Sequence, residues 1–179
     1  MNSPLRSIET ARLCLRPPTV EDADAVFAEY AQDPDITRYL VWRPHREIES
    51  VRVFLRQAVA ALESGASHFW VITTRNTDRP VGMIETGVDE HGLSLGYVLA
   101  KRCWGKGYMP ESLQPIVDWA VQQKEIHRIW AACDVDNRAS VRVLEKIGMQ
   151  REGVLRRWGV HPNMSDVPRD CFCYARIKA

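Results

Sequence analysis

The stretch at residues 93–113, LSLGYVLAKRCWGKGYMPESL, decides how the rest of the chain is interpreted. Its first half is an apolar, β-rich run, its middle places Gly105 and Gly107 on either side of a lysine, and its second half has helix-compatible spacing. The predicted order is strand, glycine loop, helix. Glycines let a backbone approach a ligand closely, and the unpaired N–H groups of a helix N-terminus favour an anion. The segment therefore predicts a site for a phosphate or diphosphate.

Glycine loops also serve only to turn a chain and to let a helix pack on a sheet, and spacing alone slightly favours that structural interpretation. Two familiar phosphate loops are excluded. The sequence holds no G-x-x-x-x-G-K-[ST], and the G-x-G at positions 105–107 lacks the third glycine of the dinucleotide fingerprint. The loop must be of a third kind.

Residues 96–113, GYVLAKRCWGKGYMPESL, resemble motif A of the GNAT superfamily of acetyl-CoA-dependent N-acetyltransferases. More narrowly they resemble its Rim-type (RimJ/RimL-like) branch, which acetylates ribosomal-protein N-termini. The looser superfamily pattern, [QR]-x-x-G-x-[GA], fits less well. Trp104 occupies the position of its basic residue, and Met109 occupies the position of its final small residue.

A second segment, VDNRASVRVLEKIGMQREGVLRR at residues 135–157, resembles the other Rim-type signature, an Asn-x-x-Ser followed by a leucine-rich helix. The closing CYARI at residues 173–177 resembles the final strand of the branch. The resemblance extends from about Ile8 to Ala179, which makes it one family across the chain.

Composition limits the possible classes of protein. A chain of 179 residues suits a single domain, residues 1–179, that buries its core without disulfides or metals. Its net charge of +1 gives no argument for a nucleic acid or an anionic membrane as partner. The five cysteines are scattered, which is typical of reduced thiols, and no 18-residue apolar run occurs. We therefore expect a cytoplasmic protein without a metal site.

Hydrophobic periodicity predicts an α/β fold. Its order is β-α-α-β-β-β-α-β-α-β-β, and the resemblance implies the GNAT fold, a mixed, mostly antiparallel sheet of about seven strands with four main helices. Strands are expected at residues 12–16, 67–74, 81–88, 93–99, 128–135, 152–158 and 171–177. Pro115 lies inside the predicted third helix, so we expect a kink or a late start there.

The resemblance implies acetyl-CoA as co-substrate. Its diphosphate would bind backbone N–H groups of residues 105–109, and its pantetheine arm would pair with residues 97–99 like an added strand, with the N–H of Val98 or Leu99 polarising the thioester. The cofactor-binding candidates are Tyr97, Val98, Leu99, Trp104, Gly105, Lys106, Gly107, Tyr108, Met109, Asn137 and Ser140.

Two catalytic roles remain to be assigned. Ser140, the serine of Asn-x-x-Ser, is the candidate proton donor to the departing thiolate, with local stabilisation of the first helical turn as the alternative. Asn137 is in either case a helix cap.

The general base departs from the Rim-type pattern. The two expected glutamates are replaced by Ser94 and Gly159, so we take Glu85 as the candidate base and His68 as the second choice. A solvated strand glutamate and a structural histidine are the respective alternatives. A water chain is another route, because an α-amine of pKa about 8 is already partly neutral at physiological pH.

These features predict an N-acetyltransferase acting on a primary amine, either a protein N-terminal α-amine or a small-molecule amine, by direct attack in a ternary complex. We expect residues 36–48 and 161–168 to border the acceptor, with Trp42 as a wall, and Trp42, Trp70, Trp104 and Trp158 to be mostly core. The alternatives are a non-catalytic CoA-binding or sensing module and a generic nucleotide-binding domain. Either a monomer or a homodimer is compatible with the sequence.

Overall fold

The computed structural model describes residues 7–178, which form one eight-stranded mixed sheet flanked by helices. The strand order is β1-β2-β3-β4-β5-β6-β8-β7, and all neighbours are antiparallel except β5 and β6. The strands are β1 (Ile8–Glu9), β2 (Leu13–Arg16), β3 (Ser67–Thr74), β4 (Thr77–Asp89), β5 (Gly92–Leu99), β6 (Arg128–Asp134), β7 (Gln150–Gly159) and β8 (Arg169–Ile177). The predicted α/β fold is confirmed, with β1 as a strand that the periodicity missed.

Five α-helices connect these strands: α1 (Ala23–Val26), α2 (Pro34–Thr37), α3 (Ile48–Ser64), α4 (Tyr108–Gln122) and α5 (Arg138–Lys146). Helix α1 is preceded by a 3-10 turn, Val20–Asp22, and followed by a π-helical turn, Phe27–Ala31. Helix α2 was not predicted, because its four residues are too few to show a helical period.

Local capping explains where the helices begin and end. The capping box between Thr19 and Asp22 forms, and Gly65 ends α3 with φ +74°, a backbone angle that favours glycine. The expected late start at Pro115 is wrong, because α4 already begins at Tyr108 and continues through the proline.

Each face of the sheet has its own hydrophobic core. Helices α4 and α5 pack on one face, where Leu113 and Leu144 are fully buried. Helices α1 and α3 pack on the opposite face, where Val51 and Leu55 are fully buried. We call these faces the α4–α5 face and the α1–α3 face. Successive residues of a strand alternate between them, so each site residue can be assigned to one face.

Within the described sheet, residues 7–178, the only parallel junction is that between β5 and β6, and it is short. Its ladder consists of Leu93 opposite Ile129 and Ser94 opposite Trp130, although the strands continue to Leu99 and Asp134. Beyond Ser94 the edge of β5 that faces β6 therefore has no strand partner among residues 7–178. We call this region the β5–β6 opening.

The tryptophans differ from expectation. Trp70 is buried, but Trp104 and Trp158 are 46% and 51% exposed and Trp42 is only partly buried. The prediction that most of them are core is wrong, because Trp158 lies on the outermost strand, β7, which has a neighbour on one side only. Within residues 7–178 the helices are all too short or too polar to cross a membrane.

Candidate active site

The glycine loop lies between β5 and α4. Gly105 and Gly107 have φ +74° and +76°, and Gly107 is the N-cap of α4. The N–H groups of residues 105–109 donate to no group among the described residues, while the N–H of Glu111 already bonds Gly107 O at 3.2 Å. Free N–H groups together with the positive end of a helix form a binding site for an anion.

The register of β5 shows which of its backbone groups face the β5–β6 opening. Ala100 N donates to Val81 O at 2.7 Å, and Val98 and Leu99 are paired with Met83 and Gly82. In an antiparallel ladder hydrogen-bonded and non-hydrogen-bonded pairs alternate. The N–H and C=O of Val98 therefore point towards β4, and those of Tyr97 and Leu99 point into the opening.

This register separates the two residues that sequence reasoning had left as alternatives. Leu99 N–H, and not Val98 N–H, is directed into the β5–β6 opening. Leu99 O is already engaged, because it accepts a hydrogen bond of 2.8 Å from Trp104 Nε1. The indole of Trp104 thus lies at the junction between the opening and the glycine loop.

Tyr97 and Ser140 are brought together across the opening. Their hydroxyl oxygens are 2.7 Å apart, and Ser140 N donates to the Asn137 side-chain oxygen at 3.0 Å. Asn137 therefore caps α5, while the serine hydroxyl is directed at the tyrosine. Burial raises the pKa of Tyr97, outweighing the opposite effect of its hydrogen bond with Ser140, so both hydroxyls keep their protons at neutral pH.

Glu85 lies on the α1–α3 face beside the opening. It is paired with Gly96 of β5, and its Oε2 is 4.0 Å from the position that a Cβ at Gly96 would occupy. The side chain is accessible to solvent, but the surrounding protein desolvates its carboxylate and raises its pKa. A carboxylate with a raised pKa, above a glycine next to Tyr97, is suitably placed to accept a proton.

His68 is on the other face. It pairs with Thr86, one residue from the pairing of Phe69 with Glu85, and its ring stacks on Trp70 with centroids 6.0 Å apart. Desolvation lowers the pKa of His68. The structure therefore does not bring His68 and Glu85 together.

The two segments expected to border the acceptor are joined to each other. Asn163 Nδ2 donates to Thr37 O at 2.7 Å and to Trp42 O at 2.8 Å, and Arg43 donates to Pro162 O at 2.7 Å. Tyr39 OH also donates to the carbonyl of Asp136, next to the α5 cap, at 3.4 Å. The segments 36–48 and 161–168 are thus hydrogen-bonded to each other, and through Tyr39 to Asp136, the residue before the N-cap of α5.

Comparison with known proteins agrees with this geometry. The acetyltransferase (GNAT) domain family matches residues 12–150. The chain belongs to the GNAT acetyltransferase family. It is 31% identical over 156 residues to the uncharacterized N-acetyltransferase p20 of Bacillus licheniformis, covering 85% of this chain and 86% of the relative.

Solved GNAT structures have the same fold. An acetyltransferase of the family from Bacillus anthracis is 29% identical, with a TM-score of 0.82 over 96% of this chain and 98% of the other. RimL, a ribosomal α-N-protein acetyltransferase in complex with coenzyme A, is 22% identical, with a TM-score of 0.84 over 96% and 97%. As a GNAT enzyme, the protein is an acyltransferase with acetyl-CoA as co-substrate.

The free N–H groups of the glycine loop fit the diphosphate of such a GNAT co-substrate, and the unpaired edge of β5 fits an extended arm with amide groups. One surface concavity, of about 580 Å³ and lined by residues that include Arg16, Asp22 and Asp78, contains none of the residues expected to bind the co-substrate. Among residues 7–178, no three His, Cys, Asp or Glu side chains are arranged to hold a metal ion.

Two residues next to the candidate site, Cys133 and Arg12, were not predicted from the sequence. Cys133 of β6 is buried and hydrogen-bonded to Ser140, and burial raises its pKa to about 11, so it is a protonated thiol at neutral pH. Arg12, before β2, contacts the glycine loop by donating to Lys106 O at 2.9 Å. No sequence pattern connects Arg12 with Lys106, because the two residues are 94 positions apart and meet only in the folded structure.

Proposed function

We propose that the protein transfers the acetyl group of acetyl-CoA to a primary amine, which attacks the thioester directly in a ternary complex. The observation that carries this proposal is the β5–β6 opening, which has free N–H groups at one end and the Tyr97–Ser140 hydroxyl pair and Glu85 beside it. In this proposal the arrangement would supply an anion site, a strand edge and proton-transfer groups around the β5–β6 opening.

The diphosphate is assigned to the backbone N–H groups of residues 105–109, with Lys106 and Tyr108 beside it. The pantetheine arm is assigned to the edge of β5 at Tyr97 and Leu99, where it would pair as an added strand does. Val98 would contribute its side chain only, since its backbone groups face β4.

The proposed chemistry joins the amine nitrogen to the acetyl carbon and breaks the carbon–sulfur bond. Leu99 N–H would stabilise the negative charge on the carbonyl oxygen, and Glu85 would take the proton lost by the amine, directly or through water. Ser140 would give its proton to the leaving sulfur and recover one through Tyr97.

The acceptor is either the α-amine of a protein N-terminus, as in the Rim-type branch, or the amine of a small molecule. The wall formed by residues 36–48 and 161–168 would select between them, because binding loops carry specificity on a rigid scaffold. We further propose one catalytic domain, monomeric or homodimeric, in the cytoplasm. The five cysteines are all free, which suits a reducing compartment.

Thiol release from acetyl-CoA, measured with a panel of small amines and of peptides with free N-termini, tests the proposal, with acetylated products identified by mass. Turnover with at least one amine supports it. Tight coenzyme A binding without turnover on any amine would instead favour a sensing module. Thermal protection by ATP and not by coenzyme A would favour a nucleotide-binding domain.

A further inference from the structure

Three residues connect the start of the sheet to the first turn of α4: Thr10, Arg12 and Glu111. Glu111 Oε1 accepts hydrogen bonds from Thr10 Oγ1 at 2.7 Å and from Arg12 N at 2.9 Å. Its Oε2 accepts from Arg12 Nε at 2.7 Å and lies 2.5 Å from Arg12 Nη2. Two nitrogens of the Arg12 guanidinium therefore converge on one oxygen of Glu111, in a charge-assisted contact, while the other oxygen accepts from Thr10 and from the Arg12 backbone.

Arg12 also contacts the glycine loop itself. Its Nη1 donates to Lys106 O at 2.9 Å, and its guanidinium carbon lies 4.7 Å from the centre of the Tyr108 ring. Its Nη2 is 3.6 Å from the position of a Cβ at Gly107. The cation thus contacts Lys106 and Tyr108 and lies beside Gly107, and the backbone N–H groups of all three residues are free.

The charge of Glu111 gives this contact an electrostatic role in addition to its structural one. Its carboxylate lies in the first turn of α4, at the end of the helix that attracts anions. The side chain is only 18% exposed, so an uncompensated carboxylate there would repel a diphosphate bound to the loop. Desolvation opposes ionisation of Glu111, but the hydrogen bonds from Thr10 and Arg12 outweigh it and lower its pKa, so the carboxylate is charged at neutral pH.

We infer that Arg12 is a positioning residue for the diphosphate of acetyl-CoA: it neutralises Glu111 and fixes the carbonyl of Lys106, so that the loop presents its N–H groups to the anion. This inference rests on the proposed placement of the diphosphate on residues 105–109. Arg12 uses Nε–H, one Nη1–H and one Nη2–H in these contacts, which leaves two of its N–H groups for the anion. Its side chain is 48% exposed, so those groups are accessible.

The inference predicts that the loss depends on the diphosphate. We compare Arg12→Ala and Arg12→Gln with the original protein, using two donors: acetyl-CoA and S-acetyl-pantetheine, which lacks the diphosphate. Either variant should raise the Kd of coenzyme A and the KM of acetyl-CoA about tenfold, with kcat nearly unchanged. The kcat/KM for S-acetyl-pantetheine should stay within about twofold, less than 0.5 kcal/mol.

Removing the repelling charge should restore part of the affinity. Adding Glu111→Gln to Arg12→Ala should improve coenzyme A affinity about threefold relative to Arg12→Ala alone. If Arg12 only holds the loop in place, the second substitution should recover no affinity. Arg56→Ala is the matched control, since Arg56 is 52% exposed and pairs with Glu49 on α3, and it should change no constant. If Arg12→Ala fails to fold, Arg12→Gln, which keeps a side-chain donor, carries the comparison.

Equal losses with both donors, or no loss with either, would overturn the role of Arg12. Its failure can be distinguished from failure of the loop assignment by Gly107→Val. If that change weakens coenzyme A binding and Arg12→Ala does not, only the inference about Arg12 fails. If neither change weakens binding, the diphosphate lies elsewhere and both fail.

Discussion

The hydroxyl oxygens of Tyr97, near the end of strand β5, and Ser140, in the first turn of α5, lie 2.7 Å apart. The serine is freed for this contact because the side chain of Asn137 caps the helix in its place. A hydroxyl with a second hydroxyl behind it can give up a proton and recover it, which is what a leaving thiolate requires.

Ser140→Ala should lower kcat about tenfold to a hundredfold and leave the KM for acetyl-CoA nearly unchanged, since general acid groups contribute at least this much. Tyr97→Phe should have a smaller effect. If the two hydroxyls act as a unit, the double variant should be no slower than Ser140→Ala alone. Steady-state kinetics measures all three, and an unchanged rate in Ser140→Ala would leave Ser140 without a role in proton transfer.

Glu85→Gln should lower activity and change its pH profile. Because desolvation raises the pKa of Glu85, the fraction of free enzyme with an ionised base falls as pH decreases through that raised value. The acid limb of the kcat/KM profile should therefore be lost in the variant. If the limb persists unchanged, water or the amine itself accounts for it.

The raised pKa of Glu85 should affect stability in the opposite direction from activity: as pH rises, activity increases and stability decreases. The folded state holds the Glu85 proton more tightly than the unfolded chain does, so this group lowers the free energy of unfolding as pH rises through the folded-state pKa. Glu85→Gln should thus be at least as stable as the original protein at neutral pH, and the difference should disappear in acid. Denaturant unfolding at several pH values measures it, and a less stable variant at neutral pH would contradict the assignment.

Gly82→Ala should destabilise the sheet by about 1–3 kcal/mol, as overpacking of a filled interior does. A Cβ at this position would lie 2.6 Å from Val98 O and so displace β5 from β4. Gly153→Ala is the control, because a Cβ there meets no atom within 4 Å. Equal unfolding midpoints for the two variants would show that β5 tolerates the shift.

Gly107→Val should weaken coenzyme A binding beyond the effect of backbone strain. Gly107 and Gly65 have nearly the same positive φ, +76° and +74°, but only Gly107 lies in the loop assigned to the diphosphate. Both variants should lose about 1–2 kcal/mol of stability from the left-handed conformation. Calorimetric binding should be impaired only in Gly107→Val, and an equal effect of Gly65→Val would attribute the loss to instability.

Much of this fold could be predicted from local signals. Aromatic and β-branched residues predict β3 at Ser67–Thr74, and the helical period with Gly65 predicts the end of α3. Both depend on neighbours within a few positions, where propensity and capping act. The two-residue strand β1 and the four-residue helix α2 were missed because they are too short to show any period.

The candidate site was predictable only in part, for the same reason. The glycine loop and Asn-x-x-Ser are contiguous and so can be found in a sequence. Strand register, which directs Leu99 N–H and not Val98 N–H into the opening, emerges only when β4 pairs with β5. The contact between Arg12 and Glu111 joins positions 99 residues apart, and no local pattern encodes it.

The two-pair junction between β5 and β6 also bears on how the protein holds together. Strands β1–β5 and β6–β8 form two half-sheets that share a ladder only at Leu93 and Ser94. The pantetheine arm of the co-substrate, bound in the β5–β6 opening, would act as a removable ninth strand. The sheet would then be continuous only while the co-substrate is bound. Amide hydrogen exchange at Tyr97 and Leu99, whose N–H groups face the opening, should then slow when coenzyme A is added. The resistance of the protein to heat and proteases in a cell would follow the supply of its acyl donor.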